Sequence, residues 1–185
     1  MDKLRWNRFK WKMRELRDKV VYYVTMPYVR LRNYVLVKKF PFLKPQCGWG
    51  VDMEYHKPGY KYRYEETWLD GMPKAWRRSF GIQLCINLKH IIERDGLTDY
   101  KVRQVKEKFG GLRWYDEGGN KYTAMLIESY EHLSMTMCFY CGRKAEYVGT
   151  EWIVFYCPKC AKKAMKRGRQ CVPLKNGIGV IRTEL

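Results

Sequence analysis

Apolar residues recur near the N-terminus at alternating spacings of three and four, with charged residues between them. Because 3.6 residues make one helical turn, this pattern predicts an amphipathic helix or a short coiled-coil seam. Pro27 is expected to end this helix or to start a second one, over residues 28–40. The apolar positions are Trp6, Phe9, Met13, Leu16, Val20 and Tyr23.

The composition changes over residues 40–68, which are dense in Pro, Gly and Tyr and predict a linker followed by short strands. Tyr60, Tyr62 and Tyr64 alternate as strand residues do, and such tyrosines serve either to stack bases or simply to pack. Apolar spacing then predicts a core helix from Pro73 to Arg94. Asp70 is its candidate N-cap, and Gly96 lies just past its end.

A β-hairpin is predicted next, because "VRQVKEKFGGLRWYDEGG" reads as strand, Gly-Gly, strand. With Gly110 and Gly111 as the loop, Phe109 opposes Leu112 and Glu107 opposes Trp114. This register places a basic group on one face with Tyr115, which is either a phosphate contact or an ordinary exposed surface. The group is Lys106, Lys108 and Arg113.

Helical spacing returns from about Thr123 to Met135 and leads into a cysteine-rich segment. The predicted fold class is therefore α+β: a basic N-terminal helical segment, a small domain of helix plus β-hairpin, and a C-terminal four-cysteine zinc ribbon. The predicted domains are residues 1–45, 46–136 and 137–168, followed by a basic tail over 169–185.

The cysteines of this segment form C-x2-C-x15-C-x2-C, within the spacing of a four-cysteine zinc site. Each C-x-x-C turn directs two thiolates at one metal, and four sulfur ligands leave no position for water. We therefore expect one structural Zn²⁺; free structural cysteines and a dithiol redox pair are the alternatives. The predicted ligands are Cys138, Cys141, Cys157 and Cys160.

The formal net charge of +18 lies almost entirely at the two ends of the chain. Residues 1–39 carry +9 and residues 157–185 carry +7, whereas the middle carries only +2. Such ends indicate a polyanionic partner, although a charged face that only confers solubility is the simpler alternative. The candidate nucleic-acid contacts are Arg5, Arg8, Lys10, Lys12, Lys106, Lys108, Arg113, Lys159, Lys162, Lys163, Lys166 and Arg167.

Several functional classes are disfavoured by the sequence. No uncharged run approaches the ~20 residues of a transmembrane helix, and charges interrupt the N-terminus where a signal peptide is apolar. Paired cysteines suit a reducing compartment, so we expect a cytoplasmic protein, or a virion protein if the chain is phage-encoded. The chain contains no Walker-type loop, G-x-S-x-G or H-E-x-x-H motif, and we expect no enzymatic activity.

The order "QVKEKFGGLRWY", then a helix, then "CFYCG" and "YCPKC" resembles small uncharacterised zinc-ribbon proteins of bacteria and bacteriophages. The resemblance covers about residues 70–160. Val105 to Tyr115 matches the motif "VKEKFGGLRFY", with Trp114 in place of Phe. It implies a zinc ribbon but no particular activity, and the basic N-terminal helix lies outside it.

Three functional hypotheses follow from these patterns. The first is a non-enzymatic zinc-ribbon protein that binds nucleic acid or a nucleoprotein complex through its basic ends. The second is a structural or assembly component, for example of a phage particle, that docks on a protein partner through its N-terminal helix. The third is a regulator that binds a host enzyme such as RNA polymerase. Contact of the basic helix with a membrane surface is a further, less favoured alternative.

Overall fold

The computed structural model describes residues 3–45 and 62–174, with side chains from Trp6 onward. Helix α1 (Lys3–Lys39) is followed by two 3₁₀ turns, at Pro41–Leu43 and Trp68–Gly71. Within these residues no helix combines the length and apolarity needed to cross a bilayer. The remaining elements, in chain order, are α2 (Lys74–Trp76), a π-helical turn (Arg77–Gly81), α3 (Ile82–Asp95), β1 (Lys101–Lys108), β2 (Gly111–Glu117), α4 (Lys121–Met135), β3 (Tyr147–Gly149), β4 (Phe155–Tyr156), α5 (Pro158–Met165) and β5 (Cys171–Pro173).

Helix α1 runs through Pro27 without a break, so the prediction that this proline separates two helices is wrong. Proline removes the hydrogen bond to the carbonyl four residues earlier, which here belongs to Tyr23. That residue is 73% exposed, so water can bond the freed carbonyl. At ~1.5 Å per residue, α1 is roughly 55 Å long.

Within the described residues, α1 packs on the rest of the protein through its C-terminal part. Asn33 is fully buried, and its amide Nδ2 donates to the carbonyl of Tyr64 at 2.9 Å. Arg30 forms an ion pair with Glu65. The 3₁₀ turn that follows α1 then inserts Leu43 into the core.

The core of the body forms around the helical run that begins with α2. Trp76 is fully buried, and its ring centroid lies 6.4 Å from that of Phe80. Leu84 and Leu88 continue the same face in α3. Strands β1 and β2 pack on this side through Val105, Leu112 and Trp114, which are also buried. The predicted helix from Pro73 to Arg94 is confirmed, and Gly96 ends it with a positive φ of 64°.

The hairpin is present, but its turn lies one residue earlier than predicted. Glu107 pairs with Leu112 and Val105 with Trp114, so the predicted register is wrong. Phe109 and Gly110 form the loop with φ values of 52° and 76°, and the Gly110 N–H donates to the Glu107 carboxylate at 2.7 Å. This bond, together with the tight packing of Gly111 against Met135, favours the shifted turn.

Helix α4 (Lys121–Met135) packs along β2 and satisfies its edge with side chains. Glu131 accepts from the Trp114 N–H at 3.0 Å, and Ser134 accepts from the Leu112 N–H at 2.8 Å. The helix begins at the N-cap Asn120, whose Oδ1 accepts from the N–H groups of Tyr122 and Thr123. These bonds hold α4 next to the hairpin and direct its C-terminus into the cysteine segment.

The cysteine segment folds as a small antiparallel sheet with the strand order β4-β3-β5. In the chain, helix α5 lies between β4 and β5. Residues 171–173, which the sequence pattern assigned to the tail, form β5 and pair with β3. Tyr60 lies outside the described residues, and Tyr62 and Tyr64 belong to no strand there.

Asp70 anchors the base of α1 to the body and is not the N-cap of the core helix, contrary to the prediction. Its Oδ1 accepts from Arg32 at 2.8 Å and also from Arg77, and its Oδ2 accepts from the Thr67 N–H at 2.8 Å. Thr67 and Asp70 thereby form a capping box around the 3₁₀ turn. The core helix begins instead after Pro73.

We expect Asp70→Ala to lower the free energy of unfolding by about 2 kcal/mol, because two arginines and a capping box lose one charged acceptor. Asp18→Ala is the matched control, since among the described residues Asp18 forms an ion pair with the adjacent Arg17 alone, on an exposed helix face. It should change stability by less than ~0.5 kcal/mol. Urea denaturation measures both, and equal effects would contradict the anchoring role.

Candidate metal centre

The first cysteine pair lies in a tight turn directly after α4. The Cys138 N–H donates to the Arg143 carbonyl at 2.6 Å, and the Gly142 N–H donates to the Cys138 carbonyl at 2.8 Å. Gly142 has a φ of 73°, in the left-handed region that favours glycine. This turn directs the side chains of Cys138 and Cys141 to the same side.

The second pair lies at the start of α5 and uses helical geometry instead. Cys157 is the N-cap residue, with an extended backbone, and Pro158 occupies the first helical position, where its missing N–H costs no hydrogen bond. Cys160 follows in the first turn of the helix. The local sequence therefore places both sulfurs of this pair at the N-terminal end of α5.

All four cysteine sulfurs lie within 4.8 Å of one another. Cys141 Sγ lies 3.5 Å from Cys157 Sγ and 3.8 Å from Cys160 Sγ. Metal–sulfur bonds of ~2.3 Å in a regular tetrahedron separate sulfurs by about 3.8 Å, so these separations fit a shared ion. The four cysteines are positioned to bind a metal, in agreement with the sequence prediction.

The thiols differ in environment. Burial raises the pKa of Cys138 and of Cys160. Partial burial also raises the pKa of Cys141, but hydrogen bonds from Arg143 outweigh it and lower the pKa to about 6. The Arg143 Nε lies 3.5 Å from Cys141 Sγ. Because metals bind the thiolate, protons compete for this site, and acidification weakens metal binding.

Apart from the cysteines, the ribbon, residues 137–174, contains few buried residues. One cluster comprises Val154, Tyr156, Ala161 and Ala164, and a second comprises Ala145, Val148 and Phe155. Tyr140 stacks on Tyr156 with ring centroids 5.6 Å apart. Such small clusters bury little apolar area, so a bound metal contributes directly to the stability of the ribbon.

The ribbon is joined to the body at the first cysteine turn. Phe139 contacts Trp76 edge to face, with ring centroids 5.8 Å apart. A Cβ at Gly142 would lie 2.3 Å from Ser79 Oγ, which shows how closely the turn approaches the π-helical segment. The local sequence does not predict this contact, because it depends on tertiary packing.

The structure separates the predicted nucleic-acid contacts into three surfaces. Four lysines, Lys159, Lys162, Lys163 and Lys166, lie exposed along α5 and just past its end, next to Arg167. On the hairpin, Lys106 and Lys108 lie over the rings of Tyr115 and Phe109, while Arg113 contacts the Glu131 carboxylate at 3.5 Å. On α1, Arg8, Lys10 and Lys12 are exposed, and Arg5 occupies a position near its start.

Sequence reasoning missed Arg143 and Lys144, which are exposed and follow the first cysteine turn directly. Their position immediately after a C-x-x-C-G turn is the signal that could have identified them.

Comparisons with protein-family models, curated proteins and solved structures found no match.

We expect Cys157→Ser to lower metal affinity by more than the ~10–100-fold typical of losing an outer-shell partner, since it removes a ligand itself. Cys171→Ser is the control, because Cys171 is a half-buried cysteine of the same ribbon outside the cluster. Elemental analysis after dialysis should find about one metal ion per chain in the control. Equal metal content in both variants would contradict the assignment.

Proposed function

We propose that this chain is a non-catalytic zinc protein that binds nucleic acid or a nucleoprotein complex through the basic surface of its ribbon. Four sulfur donors complete a tetrahedral sphere and leave no open position for water or substrate. This donor set supports a structural role for the metal. The ribbon would then serve to present the side chains around it.

Zinc is the metal that this donor set favours. Four thiolates in tetrahedral geometry are typical of structural zinc, and iron is the main alternative for the same donors. Cys138, Cys141, Cys157 and Cys160 would hold the ion. Elemental analysis of purified protein should find about one zinc per chain, and a protein loaded with iron would contradict this part of the proposal.

The basic face of α5 is the observation that carries the binding function. Lys159, Lys162, Lys163 and Lys166 have spacings of three, one and three, which place them along one side of a helix. Ala161 and Ala164 are buried on the opposite side, against the sheet. Since Cys157 and Cys160 both belong to the start of α5, a metal bound there orients this basic face.

The charge around α5 is strongly one-sided. Residues 137–174 contain eight lysines and arginines but only two acidic residues, Glu146 and Glu151. In the described part of the chain, none of the α5 lysines lies within ion-pair distance of a carboxylate. Unpaired cations on a rigid support suit phosphates, because each phosphate they neutralise releases condensed counterions.

The basic surface of the hairpin would contribute differently from that of α5. Arg113 of the hairpin already contacts Glu131, so it has less to offer a phosphate than Lys106 or Lys108.

The resemblance to bacterial and phage zinc-ribbon proteins agrees with a small metal-stabilised module and suggests no other activity. It supports neither DNA over RNA nor one sequence over another.

We expect Lys162→Gln with Lys163→Gln to weaken binding to a labelled oligonucleotide and to reduce the slope of log K against log salt by about 1 to 2. Lys74→Gln with Arg78→Gln is the matched control, because both residues are exposed and lie on the body. Fluorescence anisotropy with single- and double-stranded DNA and RNA measures both effects.

Two outcomes would contradict this function. Binding that does not weaken with salt would show that phosphate contacts contribute little. Equal losses in the ribbon and body variants would show that net charge, and not the surface of α5, determines affinity.

A further inference from the structure

The N-terminal two thirds of α1 leaves its apolar residues uncovered. From Trp6 to Thr25, every described side chain is exposed except the half-buried Glu15. Trp6 is 42% exposed, Leu16 56% and Tyr23 73%. A long helix with this much uncovered apolar surface points to an interaction site.

Six of the exposed apolar residues of α1 recur at spacings of three and four, an average of 3.5 residues, as in a coiled coil. Four further exposed apolar side chains within residues 6–25, Trp11, Val21, Tyr22 and Val24, lie off this seam. In heptad notation the a positions are Trp6, Met13 and Val20, and the d positions are Phe9, Leu16 and Tyr23. Trp6 and Phe9 stack with ring centroids 5.8 Å apart, so the seam begins as a continuous apolar strip. Over residues 6–19 the apolar side chains, apart from Trp11, stay at a and d positions, a strip narrower than the apolar face of an ordinary amphipathic helix.

The positions beside this seam are all basic between residues 10 and 19. Lys10 and Arg17 occupy e positions, and Lys12 and Lys19 occupy g positions. The Lys10 Nζ lies 5.2 Å from the centre of the Trp6 ring, against the edge of the seam. The acidic Glu15 and Asp18 fall at c and f positions and pair with Lys19 and Arg17, which leaves Lys10 and Lys12 without a carboxylate partner among the described residues.

We propose that residues 6–23 of α1 form one strand of a two-helix coiled coil with a partner helix whose apolar seam is flanked by Glu and Asp. Apolar a and d residues supply the contact area, and e and g charges select the partner. The proposal assigns Lys10 and Lys12 to a protein partner instead of phosphate. It does not rest on nucleic-acid binding by the ribbon.

A second copy of the chain is a poor partner for electrostatic reasons. In a parallel pair, each g position faces an e position of the other helix, so Lys12 would meet Arg17 of its copy. In an antiparallel pair, e faces e and g faces g, which again opposes like charges. An acidic helix replaces this repulsion with attraction in either orientation.

A lipid surface also fits less well. An interfacial helix buries a broad apolar face and keeps its charges on the other side. Here cations border the seam on both sides, and Trp11 is 65% exposed at an f position, opposite the seam. A helix lying flat on a bilayer would leave that ring in water.

The test uses the full chain and two synthetic peptides of four heptads, with Ile at a and Leu at d. One peptide has Glu at all e and g positions, and the other has Lys there. We expect the Glu peptide to bind at least about tenfold more tightly than the Lys peptide, and less tightly as salt is raised. Calorimetric titration measures both affinities.

Two charge-matched variants locate the interaction on α1. Lys10→Glu with Lys12→Glu changes e and g positions and should weaken binding of the Glu peptide by about tenfold. Arg8→Glu with Arg14→Glu changes c and b positions by the same total charge and should weaken it by less than about threefold. All four residues are exposed, so neither variant disturbs the body.

No binding of the Glu peptide, or equal losses in the two variants, would overturn this proposal. A dimer of the chain through α1 in light scattering would also overturn it. So would loss of binding to phosphatidylserine vesicles in the Lys10 and Lys12 variant, if neither peptide binds the chain. Leu16→Ser should abolish peptide binding while oligonucleotide binding by the ribbon persists. Failure here and failure of the proposed ribbon function are therefore separable.

Discussion

The convergence of four cysteine sulfurs is the constraint on which the C-terminal third of the structure depends. The ribbon buries few apolar side chains, so a metal held by the four cysteines would supply stability that a larger hydrophobic core would otherwise provide. The two cysteine pairs reach the same point by different means, a glycine-dependent turn for the first and the start of a helix for the second. Because Cys157 is the N-cap of α5 and Cys160 lies in its first turn, a metal bound to these cysteines would also set the direction of the basic helix.

The body provides a rigid base for both basic ends. Trp76 lies at its centre and contacts Phe139, which follows Cys138 in the chain. On another side, Asp70 links the base of α1 to the core helix through Arg32 and Arg77. The two ends are thus held by separate contacts.

Local patterns predicted well where one physical signal dominated. Helical spacing located the core helix and α4, and the cysteine spacing located the four sulfurs that are positioned to bind a metal. Prediction failed where two local signals competed. Proline usually breaks a helix, but Pro27 lies in an exposed stretch, where water can bond the freed carbonyl. Either Gly-Gly or Phe-Gly could form the hairpin loop, and the packing of Gly111 against Met135 favours the second.

The sequence by itself determined which residues could bind a metal, where the charge lies and which helices form, because these depend on spacing and composition along the chain. Only the tertiary structure decided which basic residues remain free. Arg113 contacts Glu131, eighteen positions away, whereas the lysines of α5 face outward because Ala161 and Ala164 pack inward. It also decided that the seam of α1 stays uncovered, since burial depends on neighbours that no local pattern specifies.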